Sequence, residues 1–326
     1  MSNFKHNNRH RLARFFLALG LLTPFLANAY TGITIVLSAQ TQANQDFIDA
    51  FKAELAVAKN TSLRIKVIEL KETEKLVVAE NSELVIALGV KALEASAKLK
   101  YTTPVLGIFT PMPTFNNILV KGKRDLGNFS AIVLDQPFSR QMFLIQNILP
   151  ASKKIGVLLG PTSSQFSDEI KEEGEESGFS VMEANVYREA DLIPKLKEAL
   201  ETADALLAVP DPMIYSRETA QPILLTSYRH QKPIFGYSQS YVRAGALAAV
   251  YSTSKQMAKQ AAEIALSAQQ APSLLPPPQA PKYFSIMLNY QVARSLSITL
   301  KSDEEIYQKV LAADEVEAKE HEEFRH

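Results

Sequence analysis

Short apolar runs alternate with helix-period segments through most of this chain, and the alternation is written twice. In the first pass an apolar run at 33–37 leads through a polar loop into a segment where Phe47, Phe51 and Leu55 recur every four residues, the spacing of one buried helix face. Further runs at 84–89 and 104–110 read as strands. The second pass begins at 154–159, continues through a charged helix over 167–176 whose Ile170 faces inward and which Gly178 terminates, and adds an amphipathic helix carrying Leu192, Ile193, Leu196 and Leu200. Runs at 205–210 and 233–238 complete it. From first to second run is 51 residues in one pass (33 to 84) and 50 in the other (155 to 205), and both third runs carry a proline with a glycine shortly after it. Apolar runs followed by helices predict parallel strands covered on both faces. Two such sheets imply a cleft between them.

The connecting segments complete this organisation. A run at 128–134 is a strand leaving the first lobe, Asp135-Gln136-Pro137 is a hinge, and a helix from Ser139 to Leu149 opens the second lobe. A small-residue strand at 245–251 precedes a helix containing Met257, Ala261, Ala262, Ile264 and Ala265, where the chain is expected to return to the first lobe. Five of the 17 prolines fall within 272–281, which excludes helix and central strand and predicts an extended strap across the surface. A strand at 283–288 and a helix at 290–296 follow on the second lobe. The expected division is 30–135 with 250–275 for the first lobe and 136–249 with 282–311 for the second. Residues 312–326, with six acids against two bases, read as a frayed helical tail.

Composition narrows the class. At 326 residues, 46% hydrophobic and 21% charged, the chain has the profile of a soluble protein with two ordinary domains. The first 29 residues stand apart. Lys5, Arg9, Arg11 and Arg14 form a basic stretch, 15–22 is a short apolar run, and Ala27-Asn28-Ala29 is a small-x-small cleavage signal. This is the pattern of a secretory signal peptide cut after Ala29; Thr23-Pro24 interrupts the apolar run well short of the roughly 20 residues that span a membrane. Its removal leaves 31 Lys+Arg against 35 Asp+Glu, a formal charge of −4, and no basic field for nucleic acid. Cysteine is absent, so a lipid-modified N-terminal cysteine, disulfides and thiol catalysis are excluded. The mature chain is expected in the periplasm.

In open parallel sheets ligands bind beyond the carboxyl ends of the strands, where helix N-termini present free amides. That rule selects six loops: Ser38-Ala39-Gln40-Thr41, Gly89-Val90-Lys91, Thr110-Pro111-Met112-Pro113, Gly160-Pro161-Thr162-Ser163-Ser164, Asp211-Pro212-Met213 and Tyr237-Ser238-Gln239. Their hydroxyls, amides and aromatics suit the holding of a small organic molecule. Each residue has a structural alternative: Gly89 can end its strand, Ser163 can cap a helix, Tyr237 can be core. Asp211 either neutralises a ligand ammonium or caps the following helix, and Phe109, Tyr237 and Tyr251 either stack on a flat ligand or pack internally. The candidate ligand contacts are Ser38, Gln40, Gly89, Thr110, Pro111, Thr162, Ser163, Asp211, Tyr237 and Ser238.

Catalytic patterns are sparse. Of the three histidines beyond the leader, His321 and His326 sit in the tail, and His230 precedes the run at 233–238, at the end of the sheet opposite these loops. Gly236-Tyr237-Ser238-Gln239-Ser240 lacks the closing glycine of a nucleophile elbow, and no dinucleotide fingerprint, phosphate-binding loop or metal-ligand spacing occurs. No enzyme, cofactor or metal is expected.

From Ile33 to about Leu300 the chain resembles the periplasmic substrate-binding proteins of ABC transporters, in particular the type I binding-protein-like family with candidate tryptophan and tyrosine binders. The resemblance is carried by Asp204-Ala205-Leu206-Leu207-Ala208-Val209-Pro210, Lys232-Pro233-Ile234-Phe235-Gly236, Ala244-Gly245-Ala246-Leu247-Ala248 with Gln260-Ala261-Ala262-Glu263, and Leu288-Asn289-Tyr290-Gln291-Val292-Ala293, in that order. It implies an α/β fold of two Rossmann-like lobes joined by a three-segment hinge, closing on a small organic solute, an amino acid or aromatic compound among the candidates. It also implies that Gly89, Thr110, Ser163, Asp211 and Ser238 line the cleft. The expected partner is a membrane permease, or a receptor kinase or chemoreceptor if the protein senses rather than transports, and a monomer is expected. The chain departs from the family at Thr110-Pro111-Met112-Pro113, where Thr-Asp-Pro is common, at Asn128-Phe129-Ser130-Ala131 for Asn-Val-Thr-Gly, and at Asp211-Pro212-Met213 for Asp-Asn. An exported α/β enzyme is the remaining alternative; a sugar-responsive repressor would carry a DNA-binding helix-turn-helix where the leader stands.

Overall fold

Parallel pairing of apolar runs governs the architecture. The structure, a computed structural model, describes residues 32–58, 64–70, 82–270 and 274–323; the leader with its cleavage point, Pro272 and the last three residues lie outside them. The first sheet contains β1 (Gly32–Leu37), β2 (Arg64–Glu69), β3 (Leu84–Leu88), β4 (Val105–Thr110) and β5 (Phe129–Val133), all parallel, in the order β2-β1-β3-β4-β5. Helices α1 (Gln42–Val57), α2 (Val90–Ser96) and α3 (Met112–Gly122) connect them. After β5 the chain enters α4 (Phe138–Ile148) and builds β6 (Lys154–Leu159), α5 (Ser167–Glu176), β7 (Ser180–Asn185), α6 (Leu192–Thr202), β8 (Ala205–Leu207), α7 (Arg217–Arg229), β9 (Ile234–Gly236), α8 (Gln239–Ala244) and β10 (Ala248–Tyr251). The second sheet runs β7-β6-β8-β9-β10, the same order as the first, with an antiparallel β11 (Ser285–Leu288) beyond β10. The repetition read in the sequence is thus a repetition of topology.

The structure adds one strand to each half. β2 and β7 are edge strands whose half-exposed faces carry Arg64, Lys66 and Glu69 in one and Ser180, Glu183 and Asn185 in the other. Their mixed polarity leaves no apolar run to read. The run at 205–210 is a strand only through Leu207, although Ala208 N–H still donates to Phe235 O at 2.9 Å.

Helix α9 (Ser254–Gln270) packs on α1: Met257, Ala258, Ala261, Ala262 and Ala265 share one buried cluster with Phe47, Ile48 and Phe51. Val250 and Tyr251, expected with the first lobe, instead pair with Ile286 and Ser285 in the second sheet, so the chain leaves that sheet at Ser252. The proline-rich strap lies along the outer edge of β5. Gln279 exchanges backbone hydrogen bonds with Ala131 and Val133 (both 3.0 Å), Leu275 N–H reaches Gly127 O (2.9 Å), and Ser130 Oγ donates to Pro276 O (2.5 Å). Prolines fit there because an edge position does not require every amide to donate.

Helices α10 (Tyr290–Ser295) and α11 (Asp303–Glu323) finish the chain, with Ala293, Ile306 and Val310 in the core of the second lobe. The start of the acidic segment is anchored rather than frayed. The Arg140 guanidinium, 4% exposed, grips both oxygens of Asp314 at 2.7 and 2.8 Å, and also donates to Gln136 Oε1 (2.7 Å) and Pro281 O (3.0 Å) over the face of Phe284. Gln136 donates to Ser252 Oγ (2.9 Å), which in turn donates to Tyr283 O (2.6 Å). The three crossovers, at 134–137, 252–253 and 281–284, are therefore joined by one hydrogen-bonded network.

Removing Asp314 leaves the Arg140 charge buried with half of its partners gone. Asp314→Ala is expected to lower the unfolding free energy by about 3–5 kcal/mol in urea denaturation; a variant as stable as the parent would show that the pair contributes nothing.

Candidate functional site

Where the carboxyl ends of the two sheets meet the crossovers, the structure encloses a cavity of about 500 Å³. Pro111 of the first lobe stands in its wall, with Leu134, Asp135 and Gln136 from the first crossover and Ser252 from the second. The second lobe supplies Phe138 and Gln141 from α4, Phe166 from the turn after β6, Val209 and Pro210 after β8, and Tyr251 from β10. Tyr237, Ser238, Gln239 and Ser240 line it from the β9–α8 turn, with Arg243 exposed at the rim. The wall is mainly apolar with a few polar groups, the composition of a small-molecule pocket.

Local packing sets these side chains. Phe138 and Phe166 meet edge to face at 5.6 Å between ring centres. Tyr237 belongs to a cluster with Tyr215 and Tyr241, at centroid distances of 6.0 and 5.6 Å, and burial raises the pKa of its hydroxyl. Ser238 caps α8 by accepting from Tyr241 N–H at 3.2 Å, and Gln239 Nε2 donates to Tyr251 OH at 2.7 Å. Asp135 Oδ2 accepts from Met112 N–H at 2.6 Å, fastening the start of α3 to the crossover; burial pushes its carboxyl up despite that bond.

Of the ten residues selected from the sequence, Pro111, Tyr237 and Ser238 stand in the cavity wall and the other seven stand outside it. Asp211, 3% exposed, is turned into its own loop region: Oδ2 accepts from the amides of Thr162 and Ser163 (each 2.9 Å) and from Ser163 Oγ (3.1 Å), and Oδ1 accepts from Met213 N–H (2.9 Å). Its carboxylate pins the loop after β6 to the loop after β8, in place of the ammonium contact considered from the sequence. Ser163, fully buried, also accepts from Gly160 N–H at 2.9 Å, and a Cβ on Gly160 would stand 2.6 Å from Asp211 Oδ2.

Ser38 and Gly89 form a second structural pair. Ser38 Oγ accepts from Ala92 N–H at 2.9 Å at the start of α2, and Gly89, at φ +90, approaches so closely that a Cβ there would lie 2.7 Å from that oxygen. Gln40 is exposed on the rim of the first lobe. Thr110 is fully buried behind the β4 bulge at Phe109, whose φ is 60, and its hydroxyl has no hydrogen-bond partner. Phe109 itself packs edge to face on Phe47 at 5.7 Å. Wall residues outside that selection include Asp135, Phe138, Gln141 and Phe166, from the crossover, α4 and the turn before α5; the glutamine interrupting the buried face of α4 is the available signal.

The acidic face of α5 adjoins this end of the cleft. Burial, then the charge of Asp135, pushes the Glu169 carboxyl up, and burial, then the charge of Glu317, raises Glu173 from 4.5 to about 7. Among the described residues no cluster of three or more His, Asp or Glu could hold a metal, and no helix is long and apolar enough to cross a membrane.

The family profile described as ABC transporter substrate binding protein matches residues 29–313. Among solved structures, the chain is similar to a ligand-free, open substrate binding protein with adhesive properties from Clostridium difficile, at TM-score 0.68 and 16% identity over 83% of this chain and 96% of that one. It is also similar to an ABC domain in complex with L-Trp from Streptococcus pneumonia (TM-score 0.58, 20% identity, 86% and 98% covered). A conserved domain protein from Vibrio cholerae O1 biovar El Tor aligns at TM-score 0.57 and 18% identity, with the same coverage. At these identities the likeness is one of fold. No curated protein sequence matches the chain.

Asp211→Ala strands three backbone amides and the Ser163 hydroxyl, and is expected to cost about 1–3 kcal/mol in urea denaturation; a loss below about 0.5 kcal/mol would mark it as an ordinary surface acid. Glu173 has a folded pKa of about 7, above its value of 4.5 in the unfolded chain, so the native state binds the extra proton between those values and stability falls as pH rises through that window. Scanning calorimetry should show Tm decreasing from about pH 5 to about pH 8, with Glu173→Gln flattening the slope. An unchanged slope in the variant would contradict this role.

Proposed function

Because the chain belongs to the family of ABC transporter substrate-binding proteins, we propose that it captures a small organic solute in the interlobe cavity and delivers it to a membrane permease. The observation that supports this most is the wall itself, drawn from both lobes and from the crossovers between them, so that one bound molecule touches all three. Such a ligand favours whichever arrangement brings both walls onto it, and binding shifts the population toward closure. In this reading the leader is removed after Ala29 and the mature chain works as a monomer in the periplasm.

Holding rather than turnover is favoured by the wall chemistry. Ser238, Ser240 and Ser252 are the serines of the cavity wall, and no histidine stands beside them there; Ser252 Oγ donates to Tyr283 O, and His230 caps the far end of α7, ahead of β9. Ser238 Oγ already serves α8.

A thermal-shift screen of the mature protein against amino acids, sugars, nucleosides, purines and aromatic acids and amines tests the reading. A ligand at 100 times its Kd stabilises by about 2.7 kcal/mol, a clear shift. Phe166→Ala, which opens one wall, is expected to weaken that ligand about tenfold or more by calorimetric titration. Deleting the protein should abolish uptake of the same compound by cells. Hits consumed on incubation would make the protein an enzyme; intact uptake with a lost transcriptional or chemotactic response would make it a sensor.

A further inference from the structure

The polar groups of the cavity are unevenly distributed. Arg243, the cation of the wall, is exposed at the rim, whereas Asp135 and Gln141 lie at the crossover end. Gln141 is 6% exposed; its Nε2 donates to Gln136 O at 3.3 Å, which identifies the other amide atom as the oxygen, and that Oε1 has no hydrogen-bond partner. A buried acceptor left unpaired costs stability until a donor reaches it. Asp135 commits Oδ2 to the Met112 amide and has a second carboxylate oxygen. Its charge is felt by Glu169, so negative potential extends beyond the one side chain. The apolar and aromatic part of the wall includes Leu134, Phe138, Phe166 and Tyr251.

Granting that this cavity is the solute pocket, we infer that Asp135 and Gln141 are its specificity-determining residues and that the preferred ligand carries an N–H-rich head, an amine or amidine, on an apolar, preferably aromatic, body. The head donates one charge-assisted hydrogen bond to Asp135 and one to Gln141 Oε1, the acceptor that has no partner within the protein. The body lies against Phe138 and Phe166, the two rings of the wall that meet edge to face. A ligand carboxylate has no buried cation to meet in this wall, so the amine suffices without it.

Matched pairs separate head chemistry from body: phenethylamine against 3-phenylpropionate, tryptamine against indole-3-propionate, and benzamidine against benzoate, each added to the mature protein in thermal-shift and calorimetric titrations at neutral pH. The amines and benzamidine are expected to stabilise and bind, the acids not. Gln141→Leu and Asp135→Asn should each weaken amine binding about tenfold or more. Asparagine at 135 keeps an acceptor for the Met112 amide, so that variant retains the crossover contact. Binding by the acids alone would overturn the polarity and leave the pocket reading standing, with Arg243 as anchor. Equal amine affinity in both variants would overturn the roles of Asp135 and Gln141. Stabilisation by neither series would overturn this inference, and the pocket reading falls separately only if the wider screen is also silent.

Discussion

A single buried cation holds the two halves of this protein in register. Arg140 cannot be placed in the interior without partners, and the partners it has are drawn from every segment that passes between the lobes: Gln136 from the first crossover, Pro281 O from the third, and through Gln136 the Ser252 hydroxyl of the second. Asp314, arriving on the last helix, supplies the countercharge. Guanidinium geometry suits this role because five donors in one plane can meet a carboxylate and two further acceptors at once. The C-terminal helix is therefore part of the frame on which the crossovers are hung.

The cavity inherits its position from that frame. Asp135, Gln136, Phe138 and Gln141 sit within one turn or two of Arg140 along the chain, so the cavity wall is continuous with the network that spaces the crossovers. By contrast, the hydroxyls and the carboxylate at several strand ends are committed to the protein itself. Loops at the end of a parallel sheet carry backbone amides that need acceptors, and Ser38, Ser163 and Asp211 supply them. Those contacts tie the rims together, and the cavity wall is completed by side chains that enter from the crossover and from α4.

That division explains what could be read from the chain alone. Central strands such as β1, β3 and β6 are buried on both faces and appear as apolar runs, so the two lobes and the parallel direction of their strands are legible in the sequence. Edge strands β2 and β7 present one face to solvent and carry charge, which hides them. The strand-end rule reached Pro111, Tyr237 and Ser238, yet it weighted polar loop residues that turn out to bond inward. Phe138 and Gln141 escaped because a helix residue in contact with a cavity has the same sequence signature as one in contact with core. Asp314 looked like one acid among six in a tail, since nothing local marks the partner 174 residues away.

In the proposed function two lobes draw together over one solute held at the crossover end of the cleft. Small-angle X-ray scattering of the mature protein, alone and saturated with the compound that raises its Tm most, measures this directly. A smaller radius of gyration at unchanged molecular mass is the predicted result, and superimposable profiles at saturation would contradict it.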